Sequence, residues 1–537
     1  MRQGAGRVNA IEILPFILFI VVIVTSVSEK INVPYPLLLV IAGLVVGFVP
    51  GIPDWHPASS IVLPLFLPPI LFAAARLISW QDIRDNANTI ASLSIILVLI
   101  TALGIAWVLH TFIPGMSFSA ALVLGAIISP TDTVAASAIL TRLNIRQNII
   151  RTVEVESLFN DAVSIVLYKA AVLFVFMGTI NVADVGSRTF LVGLGGIAVG
   201  LVFSYFTSLI VEQFLTKSEN ELPIIMSLVL AYVAYLFADR VGVSGVLAVV
   251  AAGLYHKKTE RKIEARARLS EKTVWDTLIF FLNGILFITI GMQFTSYLKK
   301  VANLPTFDLI LFSFMTIVAL LVVRLIWVAA TSYIPHFFQR KKDAELPVFP
   351  FQKVFIVSWS GMRGLVSLAL AIALPEMLST TQPFPYRDLI IFLTIMTILF
   401  TLIVQGLTLP LLIKWLGAGK DDQKELRRIT KIYQMITKKT IDSMSQTPEW
   451  EMEYSPAAVK LVENYYANRL IQFTANYETK MDVHEVGSEA ESLLGKILQY
   501  ERNELLKMRQ QGRITDEIYI RVLRKLDRDE VGFASYR

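Results

Sequence analysis

Glu156-Ser157-Leu158-Phe159-Asn160-Asp161 lies inside an apolar run from Val153 to Met177, long enough to cross a bilayer as a helix. A charged residue at such depth costs about 2.5–3.5 kcal/mol on insertion scales, so carboxylates there mark a functional stretch. On a helix Ser157 and Asp161 stand at i and i+4, and Glu156 and Asn160 share the adjacent stripe. The result is a wet face of carboxylate, hydroxyl and amide oxygens, continued outward by Ser164. Hard cations take oxygen ligands of this kind, and a lone carboxylate also carries a proton. The plainer reading is a polar cluster that only joins helices; the other motifs in the chain weigh against it.

The chain around this stretch is 537 residues long, 55% hydrophobic and only 17% charged. That is too apolar for a soluble protein of this length, and the apolar residues come in blocks of about twenty. The expectation is an all-α polytopic membrane protein. With no cysteine there is no disulfide framework, thiolate metal site or cysteine nucleophile. Five scattered histidines argue against a histidine-built metal centre, so no resident cofactor is expected. The net charge of +6 sits mostly in loops between apolar segments, which signals orientation and speaks against nucleic-acid binding.

Thirteen spans are expected, with boundaries uncertain by several residues. Met1–Val27 has basic residues ahead of its apolar run but no small-x-small cleavage site, so a retained first helix is favoured over a signal peptide. Pro34–Val49, Ile61–Leu77, Ile90–Phe112, an interrupted Ala120–Leu140 and Val153–Met177 follow. Phe190–Val211, Leu222–Ala238, Val243–Tyr255, Leu278–Phe294, Leu309–Tyr333, Val354–Leu374 and Leu389–Leu416 complete the set. Loops after odd-numbered spans, among them Arg76 and the run Lys257 to Lys272, hold eighteen Lys and Arg against seven in the other loops. The positive-inside rule then puts the C-terminus in the cytoplasm and the N-terminus outside. From Gly417 the composition turns charged, with apolar residues at helical spacing (Leu493, Leu494, Ile497, Leu498; Ile518, Val522, Leu526). Residues 417–537 are therefore expected to form a small helical cytoplasmic domain after a membrane domain spanning 1–416. Its charge runs read as solvated faces, with a regulatory role as the lesser reading.

Two spans carry helix breaks. Ser129-Pro130-Thr131-Asp132 reads as serine at the N-cap, proline at N1 and aspartate at N3, a helix start in mid-span. Free backbone groups there are tolerated only where they line a cavity or site, although a simple proline kink is the alternative. Ser358-Trp359-Ser360-Gly361-Met362-Arg363-Gly364 interrupts the twelfth span in a comparable way. Taking spans 1–6 and 8–13 as halves, the broken helix is the fifth of each, the logic of an inverted repeat with crossed discontinuous helices. Arg363 brings positive charge to the second break, where snorkelling to an interface is the alternative. Arg324 is a further isolated membrane charge that needs a carboxylate partner, with Glu156 the first candidate and Asp132 the second.

Together Glu156 to Asp161, Ser129-Pro130-Thr131-Asp132-Thr133-Val134-Ala135 and Gly361-Met362-Arg363-Gly364 resemble the monovalent cation/proton antiporter family. Within it they are similar to the NhaP-type bacterial members and the eukaryotic sodium/proton exchangers. The resemblance implies a homodimer in the lipid of the plasma (inner) membrane, thirteen helices and a core of crossed broken helices working by alternating access. It implies that Asp161 binds cation or proton, with Ser157 and the Thr131 region supplying ligands and Asp132 and Asn160 in the same site. It also implies that Glu156 and Arg324 form a structural ion pair, while Pro130, Gly361, Arg363 and Gly364 support the helix breaks. Asn160, where electrogenic relatives have a second aspartate, implies electroneutral exchange of sodium, or of lithium or potassium, for protons. One departure stands out: Leu71-Phe72-Ala73-Ala74-Ala75 occupies the place of a Leu-Phe-Glu-Ala-Ala pattern, so one family carboxylate is missing.

Two other classes compete. Gly242-Val243-Ser244-Gly245 matches a Gly-x-Ser-Gly pattern, but an intramembrane protease would need a base at the same depth, and His110 and His256 fall near span ends. A cation channel also uses oxygen ligands at broken helices, yet no repeated filter sequence is present and a central titratable carboxylate suits exchange better. A transporter, not an enzyme, is expected.

Overall fold

The computed structural model describes residues 10–416 apart from connecting segments at 32, 50–58, 79–82, 85–90, 144, 146, 179–181, 216–221, 261–264, 339–349 and 379–381, and beyond 416 only isolated positions. The helical repeats around Leu493 and Ile518 lie outside the described residues. The chain divides into two units, Met1–Asp421 and Asp422–Arg537, and the helices below belong to the first.

Among the described residues the regular elements are helices, with one isolated bridge between Met377 and Pro383. They are α1 (Ala10–Ile31), α2 (Tyr35–Phe48), α3 (Ser59–Leu77), α4 (Ala91–Phe112), α5 (Phe118–Ile128), α6 (Thr133–Arg142) and α7 (Gln147–Met177). There follow α8 (Val182–Ile210), α9 (Leu222–Arg240), α10 (Gly245–Glu260), α11 (Ala265–Lys300), α12 (Thr306–Phe338), α13 (Pro350–Trp359), α14 (Leu365–Ile372) and α15 (Arg387–Leu416). Among the described residues, seven stretches are long and apolar enough to cross a membrane. The expected span at Leu278–Phe294 lies within α11, which starts more than three turns earlier, at Ala265, and runs on more than one turn further, to Lys300. Hydropathy marks only the apolar part of a helix, whereas backbone hydrogen bonding continues into polar sequence.

Burial is inverted relative to a water-soluble protein. Phe19, Trp107, Ile310 and Phe314 are each more than 60% exposed, while Glu156, Arg324 and Arg363 are at most 2% exposed. Apolar side chains outside and charges inside are what a lipid surround selects. α3 stays helical through three prolines, and one of the carbonyls they orphan has a partner on another helix. Pro69 has no N–H to give Leu65, and the Leu65 carbonyl accepts from the Tyr232 hydroxyl at 3.0 Å.

Helices approach closely where small residues meet. Gly43 of α2 lies against the Ile288 carbonyl of α11, and Gly291 of α11 against the Val40 carbonyl, so the two helices run in fixed register. On α8, Gly196 and Gly200 abut the carbonyls of Ser244 and Ala248. Ser244, the serine of the Gly-x-Ser-Gly pattern, caps α10: its hydroxyl accepts from the Leu247 N–H at 3.3 Å.

Candidate ion site at two crossed helix breaks

The first break separates α5 from α6, and its caps differ from the expected assignment. Asp132 is the N-cap of α6, its Oδ1 accepting from the Val134 N–H at 2.8 Å. Ser129 is instead the C-cap of α5, donating to the Gly125 carbonyl at 2.6 Å. Pro130 is buried in the linker and does not occupy N1. The reason is tertiary: the Asp132 N–H donates to the Met362 carbonyl at 2.7 Å, outside any helical ladder. Asp132 is thereby extended, with φ −90° and ψ 117°, and the helix starts after it.

Met362 belongs to the second break, between α13 and α14, so the two interruptions touch. Arg363, 1% exposed, donates from Nε to the Ile128 carbonyl at 3.0 Å and from its guanidinium to the Gly361 carbonyl. Its N–H is taken by Thr401 Oγ1 at 3.0 Å. The guanidinium thus faces the carboxyl end of α5, and the Asp132 carboxylate lies against Gly364 at the amino end of α14. Each charge has the sign that opposes the half-helix dipole it meets. Gly364 has to lack a side chain, because a Cβ would overlap Asp132 Oδ2.

Helix α7 brings the Glu156–Asp161 stretch against this crossing. Ser157 donates to the Thr131 carbonyl, and Ser164 to the Ala126 carbonyl at 3.0 Å. Both hydroxyls seat α7 on the first break, so Ser164 is a buried packing group and not an outward extension of a wet face. Glu156 Oε1 accepts from Arg324 at 2.6 Å, and Arg324 also donates to the carbonyls of Ser358 at 3.2 Å and Val357 at 3.0 Å. Gly361 lies directly under that guanidinium, where a Cβ would collide with it. The Asn160 amide turns its nitrogen to the carbonyls of Leu93 at 3.0 Å and Ser94 at 3.1 Å, leaving its oxygen 3.3 Å from the Thr131 hydroxyl.

Asp132 and Glu156 each have one carboxylate oxygen bonded and the other without a partner, whereas no side-chain hydrogen bond or ion pair reaches Asp161 among the described residues. Asp161 is 8% exposed, and its Oδ1 is buried without a hydrogen-bond partner among the described residues. It lines a cavity of about 610 Å³ together with Thr131, Asp132 and Ser157. The cavity extends to Glu154, Lys272 and Asp276. Beyond Asp161 in the other direction, Ala162, Ile165, Tyr168 and Ala171 of α7 are buried. Ala73 and Ala74 line the α3 side, where the family pattern has glutamate.

Other polar residues near the cavity went unnoticed in the sequence. Arg76, counted above as a loop charge, is 6% exposed and pairs with Glu260 at 3.2 Å and Glu271 at 3.5 Å. Glu271 also meets His256 Nε2 at 3.0 Å. Asn283, Tyr35 and Ser367 contribute to the wall as well. Asn283 had one legible signal: it is an amide in the middle of the apolar run Leu278–Phe294, whose other amide, Gln293, stands at the end of the run.

The family profile "Sodium/hydrogen exchanger, transmembrane" matches residues 16–415, which include both breaks and the whole of α7. The chain belongs to the sodium/hydrogen exchanger family. It is 34% identical over 397 residues to the Na(+)/H(+) antiporter ApNhaP of Aphanothece halophytica, covering 73% of this chain and 71% of that one. It is 30% identical to a sodium, potassium, lithium and rubidium/H(+) antiporter of Bacillus pumilus, over 78% of this chain and 64% of the relative. An uncharacterized Na(+)/H(+) exchanger of Mycobacterium bovis is 30% identical over 98% of this chain and 96% of its own length. The solved structure of the sodium proton antiporter MjNhaP1 from Methanocaldococcus jannaschii matches with a TM-score of 0.60 at 22% identity, over 77% of this chain and 99% of that one. This exchanger-family chain is therefore a multi-pass membrane protein with the MjNhaP1-like helical fold, as its three motifs suggested.

Proposed function

We propose that this sodium/hydrogen exchanger family member exchanges a monovalent cation, sodium foremost, for protons, one for one, by alternating access around Asp161. The observation that carries the reading is the unpartnered Asp161 oxygen at the inner end of a cavity, beside two crossed helix breaks. Its neighbours are each bonded through at least one side-chain atom: Glu156 Oε1 to Arg324, Ser157 to Thr131, Asn160 to backbone carbonyls. A carboxylate left over in such a setting holds either a proton or a cation, and competition between the two is the coupling. Thr131 and Ser157 stand close enough in the cavity wall to add oxygens to the cation, and Asp132 and Asn160 complete the surroundings. The stoichiometry follows from Asn160 being neutral, so that one carboxylate carries the exchange.

The architecture assigned to this activity is thirteen spans, obtained when α5 with α6 and α13 with α14 each count as one broken span. The two breaks then occupy equivalent places in two inverted halves, with Arg363, Pro130, Gly361 and Gly364 maintaining the crossing. The protein works as a homodimer in the plasma membrane, its N-terminus outside and residues 417–537 forming a cytoplasmic domain. The names of the relatives, which include sodium and sodium–potassium–lithium–rubidium antiporters, support the substrate class. The α7 residues past Asp161, Ala162, Ile165, Tyr168 and Ala171, are buried and do not line the cavity, which favours exchange over a channel.

The test is direct. Purified protein in liposomes receives an imposed sodium gradient, and internal pH is followed with and without an ionophore that clamps the voltage. Sodium-driven proton movement insensitive to the clamp is expected. Sodium flux without proton movement would make the protein a channel and end the proposal.

A further inference from the structure

Four unpartnered polar atoms line or border the cavity: Asp161 Oδ1, Asp132 Oδ2, Ser367 Oγ and Asn283 Oδ1. The first three belong to the crossing and the helix seated on it. Asn283 comes from α11, where it is 1% exposed and lines the cavity, unlike Gln293 of the same helix. Burying an amide oxygen without a partner is unfavourable by about 1–3 kcal/mol, so its retention at a cavity surface calls for a ligand that it meets there. An amide oxygen is a hard, neutral donor suited to an alkali cation and useless for holding a proton at ordinary pH.

The surroundings fix where this oxygen sits. The Tyr35 side chain lies beside Asn283, and the Tyr35 ring packs on Phe280 with centroids 5.6 Å apart. Tyr35 and Asn283 each lie eight residues before the glycines, Gly43 and Gly291, that lock α2 to α11 backbone to backbone. The amide is therefore mounted on a rigid helix pair. The α3 residues Ala73 and Ala74 bring no side-chain oxygen to the cavity wall, whereas Asn283 of α11 does.

We infer that Asn283 Oδ1 is a specificity-determining ligand for the incoming cation, contacted on the way to Asp161 and without a part in proton binding. This rests on the exchange reading above. The dipole of a fixed amide rewards a cation that sheds water to reach it, so the residue sets the half-saturating cation concentration and the order of preference among alkali ions.

The experiment uses the full-length protein in liposomes with sodium, lithium and potassium gradients, comparing wild type, Asn283→Ala and Asn283→Asp. Loss of one ion–dipole contact should raise the half-saturating sodium concentration about tenfold in Asn283→Ala, equivalent to about 1.4 kcal/mol. The effect on maximal rate should be smaller, and the ratio of sodium to potassium affinity should change. Asn283→Asp, which turns the dipole into a charge, should move the half-saturating concentration the opposite way. Sodium-dependent stabilisation of each detergent-solubilised protein gives a second readout that needs no transport. Half-saturating concentrations and ion preferences equal to wild type in both variants would overturn the assignment. So would equal rises in both, which would indicate a packing role. No exchange by the wild type would instead bring down the exchange reading itself, and this inference with it.

Discussion

Removing either partner of the Glu156–Arg324 pair should destabilise the fold in a way that the double removal does not compound. The two side chains are 2% exposed or less and their atoms are 2.6 Å apart. Glu156→Ala leaves the Arg324 guanidinium buried with only the neutral carbonyls of Val357 and Ser358 as acceptors. An uncompensated buried charge of this kind is worth about 3–5 kcal/mol of lost stability. Arg324→Ala should be worse, because it strands the Glu156 carboxylate and also frees those two carbonyls, at about 1 kcal/mol each. It further empties the space over Gly361, which is shaped to that guanidinium. In the double variant no charge is stranded, so its loss should fall short of the sum of the singles by about 2–3 kcal/mol. Apparent melting temperatures of all four proteins in one detergent at one scan rate measure this, since unfolding of a large membrane protein is governed by rate. Strictly additive losses would refute the argument: they would mean that each residue is held by separate partners and that the pair does not act as a unit.

Asp161→Asn should abolish cation-driven proton movement while the protein still folds and inserts; retained exchange measured in liposomes would sink the proposed mechanism. Asn160→Asp should add a second titratable group next to the first, coupling their proton release and making exchange respond to a voltage clamp where the parent does not. The same assay with and without ionophore reads this, and identical rates in both proteins would count against it. Gly364→Ala should drive a methyl into the Asp132 carboxylate and cost about 1–3 kcal/mol as overpacking, with a lower melting temperature and slower exchange. An unshifted melt would show that the two breaks meet less closely than described.

Several features of the site were readable one residue at a time. A carboxylate pair inside Val153–Met177, a cap signature inside a span and a lone arginine in Leu320–Trp327 each violate what lipid tolerates, and so each announces a role. The roles themselves were less legible. Asp132, expected at N3, became the N-cap, and Ser129, expected at the N-cap, closed the preceding helix, because the Asp132 N–H is claimed by Met362, 230 residues away along the chain. Ser164 looked like part of a polar face and proved to be a buried contact with Ala126. Arg76 looked like a loop charge and proved to be locked between Glu260 and Glu271.

By itself, then, the order of residues determined that the chain crosses a membrane repeatedly as helices, that two of those helices are broken, and that charge is concentrated at a few depths. Those conclusions need only local quantities: the length of an apolar block against the thickness of hydrocarbon, and the obligation of every backbone group in lipid to be hydrogen-bonded. Which carboxylate neutralises Arg324, which charge faces which half-helix end, and which oxygen is left for a ligand were decided only by the tertiary structure. Each depends on contacts between residues far apart in sequence, 168 positions for Glu156 and Arg324 and 235 for Arg363 and Ile128. Helix periodicity describes the face a residue shares with its own neighbours. It carries no information about which partner that face will meet, because ion pairing and desolvation are settled by the packed surroundings of both groups.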